Sequence, residues 1–159
     1  MLPRSAGYAL LALAYLAAQP SGKLAGAREI ATSTGIPVPF LWKILRHLRG
    51  RKLIRSFKGV HGGYELARAP NKITVVEVVM ATQENNPATR CVLGLLDCDK
   101  AHPCLLHSTW KGIRERIQNA LEKTTVADLV LGARVPRPAK RSRGSALRGR
   151  TRHRREDAV

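Results

Sequence analysis

The chain has 159 residues, 44% of them hydrophobic, which is enough for one ordinary domain with a real core and some appended chain. Three cysteines are an odd set that argues against a secreted disulfide scaffold, and a formal net charge of +17 points to nucleic acid or an anionic membrane as partner. The charge is uneven: Arg134 to Arg155 carries ten Lys/Arg opposed by Glu156 and Asp157, a tail of +8 that leaves +9 on residues 1–133.

The opening segment, MLPRSAGYALLALAYLAAQPSGKLAGA, joins an arginine to an apolar run and small residues, the outline of a secretory signal. The run from Ala9 to Ala18 is shorter than the roughly 20 residues a membrane span needs, and Tyr8 and Tyr15 suit a packed core. It reads instead as a buried first helix, capped by Ser5 and broken at QPSGK, in a soluble cytoplasmic protein. A second helix fits Ala25 to Thr32. In STGIPVP, Gly35 supplies a turn and the prolines permit only a fresh helix start. Phe40, Leu41, Ile44, Leu45 and Leu48 then mark one apolar face of a third helix, which Arg49 and Gly50 end. Ala31, with Gly35 four residues on, gives the spacing of a helix-turn-helix.

Next, Leu53 to Phe57 reads as a strand, Gly59 to Gly63 as a turn and Tyr64 to Ala67 as the returning strand. A hairpin in this position is a wing. In ITVVEVVMAT, Thr74 and Glu77 are placed as a capping box, with Ile73 and Val78 as a hydrophobic staple. After a cysteine-bearing loop a longer helix starts near Leu105, with Trp110, Ile113, Ile117, Ala120 and Leu121 on one face. That stripe can be sealed by its own domain or by the same helix of a second chain. A closing helix begins at Thr125, with Asp128 completing another capping box, and the chain beyond Gly132 has the composition of disorder.

The expected fold class is mainly α with a small β-hairpin wing: a winged helix-turn-helix plus a long C-terminal helix, a dimerisation helix if a second chain seals its stripe. Residues 1–82 are expected to form the winged helix-turn-helix unit of a DNA-binding domain, 83–104 the cysteine loop, 105–132 that long helix and the closing helix, and 133–159 a basic disordered tail.

Residues 43 to 58 hold Lys43, Arg46, Arg49, Arg51, Lys52, Arg55 and Lys58 and no acidic residue. Such runs are usually solvated helix faces, but this one covers the second helix of the motif and enters the wing, where duplex phosphates lie. The first turn of that helix nominates Val38, Pro39, Phe40, Trp42 and Lys43 as sequence readers. Lys43 can donate to guanine, and an apolar side chain can meet a thymine methyl. Trp42 suits a core or interdomain position equally well. Arg28, Arg46, Lys58 and His61 complete the set of DNA contacts, with Gly59, Gly62 and Gly63 permitting close approach.

Cys91, Cys98 and Cys104 are spaced C-x6-C-x5-C, with His107 three residues further on. If a helix begins at or just before Cys104, residues 104 and 107 share a face, and a thiolate and an imidazole converge. Soft sulfur ligands select zinc, copper(I) or iron-sulfur clusters. The C-x2-C knuckle usual in structural zinc sites is missing, and wide spacing on a loop suits a bulkier cluster.

The order of these features is more specific than the cysteines alone. GIPVPFLWKILRHLRGRKLI, then KGVHGGYELARAPNKITVVEVVMA, then the three cysteines ending in PCLLHSTW, resembles the winged-helix iron-sulfur regulators typified by IscR and NsrR. The resemblance spans about residues 2 to 131. It implies a bacterial homodimer joined through the long helix, each subunit holding one iron-sulfur cluster by its three cysteines. In IscR-type members a histidine placed like His107 completes a [2Fe-2S] site; NsrR-type members use an aspartate near the partner's N-terminus on a [4Fe-4S] cluster. No acidic residue precedes Glu29 here, so His107 comes first, ahead of Asp97, Asp99 and His102. A [2Fe-2S] cluster is favoured, with [4Fe-4S] as the alternative. The first intercysteine gap is six residues against five in IscR, and an acidic residue and an amide in IscR correspond to Trp42 and Lys43 here. Lys58 matches a basic wing position.

The resemblance implies a switch, in which a change at the cluster alters how two helix-turn-helix units meet a palindromic operator. No nucleophile-base pair, P-loop or dinucleotide fingerprint argues for an enzyme or a small-molecule substrate. The rivals are a cluster-free regulator using thiol oxidation or zinc, and a small basic RNA-binding protein. A thiol-disulfide enzyme is weakened by the missing C-x-x-C.

Overall fold

Helix α1, Arg4–Ala17, is the hub of the computed structural model, which describes residues 3–82, 93 and 103–132. Ala6, Ala9, Ala12 and Ala14 are buried with Leu13 and Leu16, so small side chains let α2, α3, α4 and α6 approach one helix together. The apolar N-terminal run is therefore a core element. Its cap differs from expectation: Pro3 holds the N-cap position and its carbonyl accepts from Ala6 and Gly7 at 3.0 and 3.3 Å. Ser5 lies inside the first turn.

Helix α2 spans Ala27–Thr34, two residues later than its periodicity predicts. Its N-cap is Gly26, whose N–H donates to the Glu29 carboxylate at 3.4 Å, while the Tyr15 hydroxyl and Lys23 reach the same carboxylate at 2.8 and 3.3 Å. Those bonds, the one from Tyr15 foremost, hold the Glu29 carboxyl below its ordinary pKa. The helix stops at Gly35, left-handed at φ 73°, whose N–H donates to the Ala31 carbonyl at 2.9 Å. This is the tight turn expected from the Ala31–Gly35 spacing.

Helix α3, Val38–Gly50, buries Leu41, Ile44, Leu45 and Leu48. Phe40, assigned to that face by periodicity, is 55% exposed. It sits on the flank of the buried stripe and sets its ring against Tyr8 of α1, centroids 6.5 Å apart. The C-terminus closes in a Schellman motif: Leu53 N–H donates to the Leu48 carbonyl at 3.0 Å and Lys52 N–H to the Arg49 carbonyl at 2.9 Å. Lys52 occupies the left-handed position, φ 55°, that glycine ordinarily takes.

Strands β1, Ile54–Phe57, and β2, Gly63–Leu66, pair antiparallel, with Ile54 opposite Leu66 and Phe57 opposite Gly63. Ala25 pairs with Tyr64 from the other side, through N–H···O bonds of 3.0 and 2.9 Å, and ties the wing to the entry of α2. A side chain at Gly63 would meet the Ala25 carbonyl oxygen at 2.9 Å, and one at Gly62 the Phe57 carbonyl oxygen at 2.3 Å. These glycines therefore serve close contacts within the protein's own backbone.

A 3-10 turn, Pro70–Lys72, leads to α4, Val75–Ala81. The capping box forms as expected: Thr74 N–H donates to Glu77 at 2.9 Å and Glu77 N–H to the Thr74 hydroxyl at 3.4 Å. Ile73 and Val78, the staple pair, are both fully buried. Helix α5, His107–Lys123, returns along α4, and Thr125 with Asp128 caps α6, Val126–Gly132, through bonds of 2.8 and 3.3 Å. The two capped segments lie side by side, Val75 N–H on the Thr124 carbonyl at 2.8 Å and Val126 N–H on the Ile73 carbonyl at 2.9 Å, which docks α6 on α1. Among the described residues no helix is long and apolar enough to cross a membrane.

Candidate nucleic-acid interface and cysteine segment

With Leu41, Ile44, Leu45 and Leu48 facing inward, the period of α3 puts Pro39, Lys43, Arg46 and Gly50 on the opposite side. All four are exposed. Trp42 flanks this stripe at 51% exposure, so it belongs to the surface rather than to the core that was its alternative place. Val38 is exposed beside it in the first turn, whereas Phe40 leans toward Tyr8. The sequence-nominated readers thus separate into an outward group, Pro39, Trp42 and Lys43, with Val38 exposed in the first turn, and an α1-facing residue, Phe40; the further candidate Arg46 shares the outward side.

Arg28 is exposed on α2, and Lys58 and His61 are exposed in the wing turn. Gly59 turns the chain at φ 103°, with open space where a side chain would stand. Val60 is 97% exposed at the tip. Sequence reasoning passed over it; its signal is a lone aliphatic residue inside a glycine-rich turn.

The far end of α3 adds cations. Arg49, Arg51, Lys52, Arg55 and Arg68 surround an open depression of about 530 Å³. Arg68, outside the run that drew attention in the sequence, pairs with Glu77 at 2.9 Å, and Arg55 lies 3.8 Å from Glu65. Burial acts to raise the Glu77 carboxyl, but hydrogen bonds from Thr74 and Arg68 outweigh it and hold the group below its ordinary pKa. No described ion pair involves Lys43, Arg46 or Lys58. Their charge is available to phosphates.

Of the cysteine segment, Cys104 and His107 lie among the described residues; Cys91, Cys98, Asp97, Asp99 and His102 lie outside them, as does the basic tail. The helix begins at His107 rather than at Cys104, and Leu105 and Leu106 form a turn closed by His107 N–H donating to the Cys104 carbonyl at 2.9 Å. Cys104 and His107 are both half-buried, at the two ends of one backbone turn. Among the described residues no group of three or more metal-ligating side chains is assembled. Soft sulfur with imidazole is a donor set that suits an iron-sulfur cluster or zinc.

Helix α5 follows this turn and packs along α4. It has no fully buried residue; Leu121 packs on Val75 and Val79 while Ile113 and Ile117 face outward. The stripe that looked continuous in sequence is divided between the chain's own core and solvent.

Comparison with known proteins accounts for this arrangement. Residues 2–132 match the family model Rrf2, described as iron-dependent transcriptional regulator. An HTH-type transcriptional regulator of Aquifex aeolicus is 36% identical over 77% of this chain and 86% of its own length. The HTH-type transcriptional regulator IscR of Erwinia tasmaniensis is 32% identical over 76% of this chain and 72% of its own. The structure of CymR, the global cysteine regulator of B. subtilis, superposes with a TM-score of 0.71 at 24% identity, covering 84% of this chain and 98% of that one. With a winged fold, a cationic outward face on α3 and a family match from residue 2 to residue 132, the chain belongs to the Rrf2 family of DNA-binding transcriptional regulators.

Proposed function

We propose that the protein is a cytoplasmic homodimer that binds a palindromic operator and whose binding is switched by an iron-sulfur cluster. Cys91, Cys98 and Cys104 hold the cluster, with His107 as fourth ligand; [2Fe-2S] is favoured over [4Fe-4S]. The observation that supports this reading is the Cys104–His107 turn, in which a thiol-bearing and an imidazole-bearing residue stand at the head of the helix that offers Ile113 and Ile117 outward. Such a cluster supplies iron that responds to redox state, iron supply or nitric oxide.

The chain's own residues do the rest. Pro39, Trp42, Lys43 and Arg46 meet the major groove, Lys58 and His61 reach the backbone or minor groove from the wing, and Arg28 contacts phosphate. The turn at Cys104–His107 sets the start of α5, and α5 contacts α4, which packs on α1, so a shift at the turn has a packed route to the DNA-binding unit. The tail from Arg134 to Arg155 adds affinity without sequence preference.

Anaerobically purified protein is expected to be coloured and to contain iron and acid-labile sulfide, and Cys98→Ala or His107→Ala to lose that spectrum. Colourless, iron-free protein with intact thiols would sink the cluster and leave a thiol or zinc regulator. An operator selected from random duplexes should bind at least about a thousandfold tighter than bulk DNA. Equal binding to RNA and random DNA would replace the regulator reading with a charge-driven one.

A further inference from the structure

A cleft of about 220 Å³ lies between the start of α1 and the middle of α3. Tyr8, Phe40 and Ile44 make an apolar floor, and Arg4, Lys43 and His47 stand around it. Among the described residues no carboxylate lines it. The floor is unusual in its construction: Tyr8 and Phe40 meet at 59° with centroids 6.5 Å apart, leaving parts of both rings facing the opening. Phe40 is more than half exposed on a helix whose core face is already filled by Leu41, Ile44, Leu45 and Leu48. Folding does not need it there.

We propose that this cleft binds a small organic anion consisting of an apolar, ring-sized body and one carboxylate. The volume lies below the about 300–1,000 Å³ of sites for drug-sized ligands, so the occupant is small. The apolar body covers Tyr8, Phe40 and Ile44, and the carboxylate takes charge-assisted hydrogen bonds from Arg4 and Lys43 at the rim. Charge complementarity selects an anion. The apolar floor selects against a bare phosphate or a backbone phosphodiester, which would leave the rings wet. Lys43 also belongs to the outward stripe of α3, so the site borders the face proposed to read DNA.

The test uses the full-length chain, labelled for NMR, and three probes: benzoate, its neutral analogue benzamide, and inorganic phosphate. Benzoate should give saturable shifts centred on Tyr8, Phe40 and Ile44. Benzamide should bind at least about tenfold more weakly, the worth of one charge-assisted hydrogen bond. Arg4→Gln, an exposed change that leaves the core alone, should weaken benzoate by a similar factor, and Phe40→Ala should weaken benzoate and benzamide together. No saturable benzoate shift at about 20 mM, a concentration that would fill even a site with a millimolar constant, overturns the proposal. So does equal binding of benzamide, or phosphate shifting the same residues as tightly as benzoate does. No DNA enters the measurement, so its failure and failure of the operator reading are separate results.

Discussion

Helix α3 buries four large aliphatic residues and still presents Val38, Phe40 and Trp42, whereas α5 is longer, buries none, and leaves Ile113 and Ile117 at 43% and 45% exposure. In α3 the core face is complete within the chain, and of the exposed aromatic residues Phe40 packs on Tyr8 while Trp42 stands toward solvent. In α5 the residues of the apolar stripe that stand outward are Ile113 and Ile117. Leu106, Trp110, Ile113, Ile117 and Ala120 alternate steps of four and three, the spacing of a two-helix seam. On the proposed function, an exposed apolar side chain serves recognition on one helix and assembly on the other.

The sharpest way to break this comparison is to charge the α5 seam. Ile113→Asp combined with Ile117→Asp should convert the proposed dimer to a monomer in sedimentation, with unchanged helical circular dichroism. Each carboxylate buried at such a seam without a partner costs several kcal/mol, so the double change exceeds about 5 kcal/mol across two chains. Operator binding should fall with it. A dimer that survives places the seam elsewhere.

On α3 the inner and outer faces should separate cleanly. Leu45→Ala removes a fully buried side chain and should cost about 2–5 kcal/mol in urea unfolding while leaving base preference alone. Trp42→Ala should stay within about 0.5 kcal/mol of the parent in stability and lose operator affinity. If Trp42→Ala costs as much stability as Leu45→Ala, the tryptophan is part of the core. In the wing, Lys58→Ala should flatten the dependence of log affinity on log salt by up to about one unit. An unchanged slope removes Lys58 from the phosphate contacts.

What the sequence disclosed followed the range of the interactions. The Thr74–Glu77 and Thr125–Asp128 capping boxes and the turn at Gly35 depend on residues a few positions apart, and all three form as expected. The start of α2 came two residues late because its N-cap, Gly26, has no side chain to announce it. Phe40 was assigned to the core because period alone does not distinguish the centre of a buried stripe from its flank; the deciding contact is Tyr8, far away in the chain. The pairing of Ala25 with Tyr64, and hence the need for Gly63, is equally nonlocal. Of the proposed contacts, Lys43, Arg46 and Lys58 stand in a charge run visible in the sequence, and all three are exposed. The division of the α5 stripe between Leu121 and the outward isoleucines emerges only when α4 is in place.

The smallest predicted effect concerns the junction between α3 and the wing. Lys52 holds a left-handed conformation at φ 55°, where a Cβ costs about 1 kcal/mol or somewhat more and glycine is at ease. The Schellman bonds through Lys52 and Leu53 do not require the side chain, since both are made by backbone groups. Lys52→Gly should therefore raise unfolding free energy by about 0.5–1 kcal/mol, less than the full strain because glycine also frees the unfolded chain. Lys52→Ala is the discriminating control: it removes the same charge but keeps the Cβ, so it should gain nothing from relief of backbone strain. Equal gains from both changes would mean that crowding among Arg49, Arg51 and Lys52, rather than the backbone, is what the lysine costs. A gain confined to glycine would mean that the chain tolerates a strained backbone here while keeping a cation beside the wing, and Lys52→Gly should then also lower the salt slope of DNA binding if that cation meets a phosphate.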